Sequence, residues 1–464
     1  MPATDSPAVI VARYLKANNY TETYDSFVNE AGLPPDVGDV FKGDLTIETL
    51  LEEKKTFDVS VRFEKLGVED ANSGWTKSAP STANEINVLP SSSNILSAQL
   101  EHLAGTESAP EPILLVSTAD RRLHLLDARS RDLRTSFSGL HDSPILSVTG
   151  LGDGHLLTTS MSGQLQLSDM QGKVLEKRRD HSKYVVKVAA FVDASDGTII
   201  ATAGWDSKIL LYRPKIDTTG PTIGEPVATI PLATKPEAMI FLRHPEHGKP
   251  VLLVSRTDSS FIFYYTVEPE PRLLGKQNLA PHSNAWVAFT PSSLQLCPTD
   301  PSLVAVGTSS VPHMKLLIVR LLFPPWEARA VPPPPGALRS SSLDGDGPAA
   351  ETQASQARAA LAIADREAAA IQIHCTTMAP QTAYSTPAIA WRPNGSGVWV
   401  NGDDGAVRGI EASTGKVVST LLQGHEPGSK VRCLWAGTVH DDDGEEKEIL
   451  ASGGFDRRLI VWTV

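Results

Sequence analysis

The feature that most constrains the fold is a repeat: from Asn84 onward, short β-rich runs alternate with turn residues at a period of about 40 to 50 residues. The clearest unit carries Asp180-His181 before its first strand and Trp205-Asp206 between its second and third strands. The last unit repeats this order with Gly424-His425 and Phe455-Asp456. One such sheet cannot bury both of its faces alone. A chain of 464 residues built this way predicts a mainly β array, such as a propeller, rather than one compact core.

The histidine and aspartate positions resemble the WD-repeat (WD40) pattern, in which Gly-His precedes the first strand and Asp occupies the turn after the second. Within that family the His and Asp of one blade can hydrogen-bond across the loops. Leu140-His141 and Pro281-His282 add two histidine landmarks, whereas the second and fifth units lack the turn Asp. The resemblance implies a seven-bladed WD40 β-propeller over residues 84–464. The seven turns are Ala119-Asp120, Met161-Ser162-Gly163, Trp205-Asp206, Thr257-Asp258, Ser309-Ser310, Asp403-Asp404 and Phe455-Asp456.

Ring closure and two insertions follow from this alignment. The sequence stops at Val464 after the third strand of the last blade, so we expect Glu85–Leu89 to supply the fourth strand. An insertion over 324–370, with a Pro-rich part and an Ala-rich helix, is expected between the third and fourth strands of blade five. The acidic run 440–448 is expected between the first and second strands of blade seven. In this family both loops emerge on the face opposite the turn-Asp loops.

The Pro-rich insertion allows two interpretations. Pro332–Pro335 and Ser340–Ser342 could form a docking or phosphorylation site. A tolerated insertion without a function of its own is the favoured interpretation, because surface loops accept such additions readily.

The N-terminal residues predict a helical hairpin. Ser6-Pro7 combines a capping side chain with a residue tolerated at the first helical position. Asn18-Asn19 suits the positive φ of a helix end, and Gly32 with Pro34 stops the second helix. Apolar residues recur at helical spacing on both helices. Because so small a unit cannot bury enough surface alone, we expect self-association.

This stretch closely resembles the LisH (lissencephaly-1 homology) motif, expected over residues 6–35. The family's positions match Ile10, Tyr14-Leu15, Asn19-Tyr20, Thr23, Phe27 and Glu30, with Asn19 in place of Gly. The family implies dimerisation, although a hairpin docked on the large domain would show the same apolar stripe. An additional helical segment is expected over 36–66, whose later part alternates like a strand, and a linker over 67–83. The dimerisation candidates are Ile10, Tyr14, Leu15, Tyr20, Tyr24 and Phe27.

Charge and residue spacing argue against several classes of function. The formal net charge of −12 disfavours nucleic-acid and anionic-membrane binding. Three cysteines without C-x-x-C spacing fit a reducing compartment, and no apolar run is long enough to span a bilayer. No nucleophile elbow or phosphate loop is present, and we expect no pair of the twelve histidines at metal-ligand spacing with a third ligand nearby. We therefore expect no catalytic residues, no cofactor and no metal.

The best binding candidates flank the turn Asp residues, which in a propeller converge around one mouth of the central channel. Two aromatic residues there, with a basic rim, would suit an acidic peptide or phosphopeptide. An alternative of equal weight is that the aromatics pack between neighbouring blades. The candidates are Trp205, Phe455, Arg121, Arg122, Lys208, Arg457 and Arg458.

The sequence thus predicts a scaffold that presents a propeller to protein or peptide partners as a LisH-mediated homodimer. A cytoplasmic location is expected, with a nuclear one open. Alternatives are a substrate receptor of a ubiquitin ligase, a microtubule- or dynein-associated regulator, or an enzyme with its active site in the propeller channel.

Overall fold

A computed structural model describes residues 6–40, 44, 46–48, 51, 74–103, 110–151, 154–193, 197–217, 220–283, 287–326, 353–440 and 444–464. The chain divides into two compact units, Met1–Asp70 and Ala71–Val464. Among the described residues, none of the helices has both the length and the hydrophobicity required to cross a membrane.

The N-terminal unit contains the predicted helical hairpin. Helix α1 spans Pro7–Ala17 and helix α2 spans Thr21–Glu30. The Ser6 side chain accepts a hydrogen bond from the Val9 N–H at 3.4 Å, which caps α1 as predicted. Asn19 adopts a φ of +59°, the left-handed conformation that its sequence position suggested. The core of the hairpin consists of Ala12, Tyr24 and Val28, with Leu15, Phe27, Leu33 and Val37 packed around them.

The expected additional helical segment, 36–66, lies largely outside the described residues. Within it, positions 47, 48 and 51 are helical.

The second unit contains seven four-stranded antiparallel sheets, as predicted. Blade one comprises β2 (Ile95–Leu103), β3 (Glu111–Thr118), β4 (Arg122–Asp127) and β5 (Leu133–Ser138). Blade two comprises β6 (Ile145–Gly150), β7 (His155–Ser160), β8 (Leu165–Asp169) and β9 (Val174–Arg178). Blade three comprises β10 (Val185–Asp193), β11 (Gly197–Gly204), β12 (Lys208–Tyr212) and β15 (Ala228–Pro231), with a small hairpin of β13 (Lys215–Asp217) and β14 (Gly220–Thr222) beside it.

The remaining blades follow the same order. Blade four comprises β16 (Pro236–Arg243), β17 (Pro250–Arg256), β18 (Phe261–Thr266) and β19 (Leu273–Asn278). Blade five comprises β20 (Thr290–Leu296), β21 (Leu303–Ser309), β22 (His313–Arg320) and β23 (Ile371–Pro380). Blade six comprises β24 (Ile389–Trp391), β25 (Gly397–Asn401), β26 (Val407–Glu411) and β27 (Val417–Leu421). Blade seven comprises β28 (Val431–His440), β29 (Glu446–Gly454), β30 (Leu459–Thr463) and β1 (Thr82–Glu85).

The blades form a closed ring with the first strand of each blade innermost. These strands contact one another in the order β2, β6, β10, β16, β20, β24, β28 and back to β2. The middle strands are almost fully buried and pack between neighbouring blades. One cluster, for example, joins Leu114 and Val116 of blade one to Ala451 and Val461 of blade seven. The inner strands therefore surround a central channel, and the apolar core lies between the blades.

Ring closure uses an N-terminal strand, as expected, but the pairing begins three residues earlier than expected. Strand β1 pairs with β30 from Thr82↔Thr463 to Glu85↔Ile460, whereas the expected strand was Glu85–Leu89. Ile86, the second residue of the expected strand, donates its N–H to the Leu459 carbonyl at 2.9 Å, and its side chain packs into the core between blades one and seven. The expected segment thus contributes the end of the pairing and a core side chain.

A buried arginine anchors the chain just before β1. Arg392 is fully buried and binds both carboxylate oxygens of Glu448 at 2.9 and 2.7 Å. Its guanidinium also donates to the Ser78 carbonyl at 2.7 Å and lies 4.6 Å from the Trp75 ring centre. A Cβ on Gly397 would lie 2.2 Å from a Trp75 ring carbon, so only glycine leaves space for this ring. The segment expected to be a linker up to residue 83 therefore binds blades six and seven in its later part.

The larger insertion lies between the third and fourth strands of blade five, as expected. The acidic run 440–448 differs from the expectation, because His440 ends β28 and Glu446 begins β29, so that most of its described residues pair as strands. Helix α3 (Gln353–Ala370) precedes β23, and residues between β28 and β29 connect the first two strands of blade seven. Pro332–Pro335 and Ser340–Ser342 lie outside the described residues. The described ends of the larger insertion bind blade four: the Pro324 carbonyl accepts from His244 Nε2 at 3.1 Å, and Glu367 on α3 accepts from the Asn278 N–H at 2.8 Å.

Candidate partner-binding face

The histidine landmarks form buried polar pairs in blades three and seven. His181 lies 2.9 Å from Asp206 through Nδ1 and 2.8 Å from the Thr202 hydroxyl through Nε2. His425 repeats the geometry with Asp456 at 2.9 Å and Ser452 at 2.8 Å. Burial raises the pKa of Asp456, but the His425 hydrogen bond and charge interaction more than offset this and hold the pKa below its usual range. These groups fix the loops of one blade and are not open to a partner.

The other two histidine landmarks differ from this geometry. His141 is buried and lies 2.8 Å from the Thr158 hydroxyl, but its turn carries Ser162 in place of Asp, as the sequence alignment indicated. Burial lowers the pKa of His141 to about 4, so the imidazole is neutral at pH 7. His282 is wrong as a landmark: its side chain is 57% exposed and lies 3.8 Å from Asp365 of α3.

In most blades a backbone hydrogen bond fixes the position of the turn after the second strand. In five blades the first turn residue donates its N–H to a carbonyl in the segment before the first strand of that blade. Trp205 donates to Tyr184 at 2.8 Å, and Phe455 donates to Lys430 at 2.9 Å. The candidate aromatic residues thus share one face of the ring with the segments that connect neighbouring blades. The other donors and acceptors are Ala119 with Asn94, Met161 with Pro144 and Thr257 with Lys235.

Trp205 lies at the centre of an exposed aromatic and basic group on this face. Its ring stacks on Tyr184 with centroids 5.2 Å apart, and the Lys235 ammonium lies 4.8 Å from its centre. Trp205 remains 38% exposed and Tyr184 41% exposed. Lys208, which starts β12, is exposed as well. We refer to Tyr184, Trp205, Lys208 and Lys235 as the blade-three platform.

Tyr184 and Lys235 were not among the binding residues predicted from the sequence. Both lie in segments that precede a first strand, and these segments share the face of the turn-Asp loops. The signal that could have found them is this shared face, since Lys183-Tyr184 directly follows the His181 landmark.

The other candidates on this face divide into exposed and paired residues. Phe455 is 43% exposed, and Arg121 and Arg457 are exposed at turn positions with φ of +67°. Arg122 lies 3.3 Å from Asp120, and Arg458 lies 3.3 Å from Glu426. Because these two arginines are paired with neighbouring carboxylates, the rim is less basic than the five basic candidates by themselves suggest.

The inner strands carry carboxylates that the sequence analysis did not single out. Glu101 on β2 accepts hydrogen bonds from Gln99 at 3.0 Å and Thr149 at 3.4 Å. Burial raises the pKa of Glu101, and desolvation lowers the pKa of Lys187 on β10 while the Glu101 charge opposes that change. The channel wall is therefore not only aromatic and basic, as expected, but also contains an acidic group bound to its neighbours.

The dimerisation candidates differ in how exposed they are. Tyr24 and Ile10 are buried within the unit, at 8% and 9% exposure. Tyr24 contributes to the hairpin's own core, where its hydroxyl donates to the Val37 carbonyl. Tyr20 is 52% exposed, and its ring lies 6.4 Å from that of Tyr14. Leu15 and Phe27 are half-buried. Tyr20 is therefore the candidate most open to a second chain.

Comparison with known proteins supports the fold of both units. A family model described as UCP007778, beta-propeller domain, matches residues 74–463, and one described as UCP007778, LisH domain, matches residues 8–35. The chain is also similar to transducin beta-like protein 3 of Bos taurus, with 33% identity over 116 residues. That similarity covers 25% of this chain and 13% of the relative's length. The chain therefore belongs to the UCP007778 family, in which a LisH domain precedes a β-propeller domain.

Proposed function

We propose that the protein is a non-catalytic adaptor whose LisH domain pairs two chains and whose propeller binds an acidic peptide segment of a partner protein. The observation that carries the proposal is the blade-three platform, where two half-open aromatic rings lie beside Lys235 and the exposed Lys208 directly follows the same turn. Aromatic and cationic side chains at a surface are the groups that dominate protein-binding energetics. Because the chain as a whole has a net charge of −12, a local basic site would select acidic segments rather than attract nucleic acid in general.

The internal bonding of the ring supports this choice of surface. His181, Asp206, His425 and Asp456 are used within their blades, so the recurring residues of the repeat stabilise the scaffold. What differs between blades is the set of exposed residues around the turn Asp. Blade seven has Phe455 and Arg457, whereas in blade three Trp205 is joined by a stacked tyrosine and a lysine over its ring. A phosphorylated segment would suit the platform best, since a phosphate presents more acceptor oxygens than a carboxylate.

Pairing of two chains would add avidity. Two linked propellers bind a partner with repeated acidic segments far more tightly than one propeller does. We place the adaptor in the cytoplasm or the nucleus, where a substrate-receptor or microtubule-regulator role would use the same surface.

The platform is tested by selecting binders for the full-length protein from a displayed peptide library and measuring their affinity by fluorescence anisotropy. Trp205→Ala should weaken the selected peptides at least about tenfold, the loss typical of a central aromatic contact, and Lys235→Glu should do the same for acidic peptides. Tyr384→Ala is the matched control, because Tyr384 is 91% exposed but lies outside the platform. Equal affinities for the wild type and the Trp205 variant would refute this choice of surface.

A further inference from the structure

The loop between β16 and β17, on the face opposite the platform, holds two histidines and a glutamate close together. His244, Glu246 and His247 each offer one ligand atom, and these atoms all lie within 4.8 Å of one another. The sequence there reads His-Pro-Glu-His. The expectation that no histidine pair has a third ligand nearby is therefore wrong for this loop.

Hydrogen bonds hold the loop in one shape. The Gly248 N–H donates to the His244 carbonyl and the His244 N–H to the Lys249 carbonyl, both at 2.8 Å. The Arg243 guanidinium donates to the Gly248 carbonyl at 3.1 Å and pairs with Asp193 at 2.6 Å. Pro245 restricts the backbone further. The three candidate ligands are thus presented by a fixed turn, and a ligand would meet a largely formed site.

His244 has the environment of a metal-binding histidine. It is 1% exposed, and its Nε2 donates to the Pro324 carbonyl at 3.1 Å. The other ring nitrogen, Nδ1, is therefore unprotonated and carries the electron pair that a metal ion would use. Proteins commonly orient a metal-binding imidazole by letting its other ring N–H donate to a backbone carbonyl. Nδ1 receives a 3.3 Å hydrogen bond from the Glu246 N–H, a long contact that a metal would replace.

Aromatic rings shield one side of the group. The His244 ring meets Phe323 at 5.4 Å and Trp326 at 5.6 Å, and the His247 ring lies 5.6 Å from Trp326. The Lys249 ammonium lies 5.4 Å from the Trp326 centre, so a bound metal ion would be repelled by this nearby positive charge. Glu246 is 74% exposed and can turn toward a shared ion, whereas His247 is 42% exposed and its ring already lies beside that of His244, with centroids 5.2 Å apart.

We infer that His244, Glu246 and His247 form a binding site for a divalent transition metal, with Zn²⁺ the ion that fits the ligands best. Two imidazoles and a carboxylate are a common ligand set for Zn²⁺, whose ligand atoms lie roughly 3.4 Å apart at bond lengths of about 2.0–2.2 Å. Closing the present separations of up to 4.8 Å to that value requires movement of the Glu246 and His247 side chains, because His244 is buried. Three protein ligands leave a fourth position for water or an external group.

The site has a structural consequence for the insertion of blade five. Because His244 binds both the ion and the Pro324 carbonyl, a bound metal would stiffen the contact between blade four and the first residues of the insertion. Metal occupancy would therefore control how firmly Pro324 to Trp326 are held on this face.

The test titrates the full-length protein, free of any affinity tag, with ZnCl₂ in an isothermal calorimeter and records X-ray absorption of the product. One Zn²⁺ per chain, bound by two imidazoles and oxygen, is expected. Mg²⁺ should bind far more weakly, since it prefers oxygen ligands. His247→Ala should weaken Zn²⁺ binding by at least the roughly 10- to 100-fold that loss of a supporting second-shell group costs.

His282→Ala is the matched control, because His282 is an exposed histidine beside a single carboxylate at 3.8 Å. That variant should bind Zn²⁺ like the wild type. Glu246→Gln provides a second test if His247→Ala fails to fold, and the unfolding temperature without metal shows whether each variant is intact. Absence of Zn²⁺ binding by the wild type, or equal affinity in the wild type and both loop variants, would overturn the assignment.

Discussion

At the scale of single residues, the repeat places buried histidines in different electrostatic surroundings. His181 and His425 each have an aspartate partner, whereas His141 has a hydroxyl neighbour and no turn aspartate. Burial disfavours the charged form of the His141 imidazole, the Lys177 charge adds to this, and the Asp142 carboxylate only partly opposes it. The second blade, which lacks the turn aspartate, is therefore expected to lose stability in acid, whereas the His-Asp pairs of blades three and seven protect those blades.

This difference predicts a pH dependence of stability. The pKa of His141 is about 4 in the folded protein, below its unfolded value of about 6.5, so the unfolded chain gains a proton first as pH falls. The contribution of neutral His141 to the free energy of unfolding therefore falls between about pH 6.5 and 4. At pH 5 it is about 2 kcal/mol smaller than at neutral pH. Urea unfolding at pH 7.5 and pH 5 should show a smaller acid loss in His141→Gln than in the wild type. His282→Gln, at an exposed position, should keep the wild-type loss, and equal losses in all three proteins would disprove the prediction.

At the scale of elements, the segment before β1 is held by a buried ion pair. Arg392→Met should destabilise the propeller by about 3–5 kcal/mol, because it leaves the Glu448 carboxylate without its partner inside the protein. Arg134→Met is the control, since Arg134 is 38% exposed and its pairs with Asp127 and Glu111 lie at the surface. That variant should lose about 1 kcal/mol or less in the same denaturant titration. Similar losses in the two variants would mean that Arg392 does not anchor the strand.

The helical hairpin is the element to which the dimer prediction belongs. Tyr20→Glu places a charge on the exposed ring beside Tyr14, and it should convert a dimer to a monomer in light scattering of the full-length protein because an interface excludes unpaired charge. Tyr384→Glu makes the same change on the propeller and should leave the mass unchanged. A monomeric wild type, or a Tyr20 variant that remains dimeric, would contradict pairing through this surface.

At the scale of the whole molecule, the ring depends on contacts between distant parts of the chain. Strand β1 pairs with β30 across more than three hundred residues, and Trp75 fills a space beside two glycines of blade six. A protein that starts at Gly74 should therefore unfold cooperatively like the full chain. One that starts at Asn87 lacks β1 and exposes an edge strand, so we expect aggregation or a much lower unfolding temperature in calorimetry. Equal unfolding temperatures would show that β1 is dispensable.

The sequence by itself determined the features that depend on neighbouring residues. The helix start at Ser6-Pro7 and the left-handed Asn19 follow from local backbone chemistry, and the seven strand groups follow from repeated apolar runs and turns. The buried His-Asp pairs of blades three and seven were predictable because the repeat fixes their spacing. These signals need no knowledge of distant contacts.

Only the tertiary structure decided the features that join distant segments. It started the pairing at Thr82 and placed the Ile86 side chain in the core between blades one and seven, although Glu85–Leu89 has the stronger local β propensity. It also left His282 exposed and stacked Tyr184 on Trp205. Strand register and side-chain stacking depend on which surfaces the closed ring brings together, and that energy of long-range packing outweighs local preference.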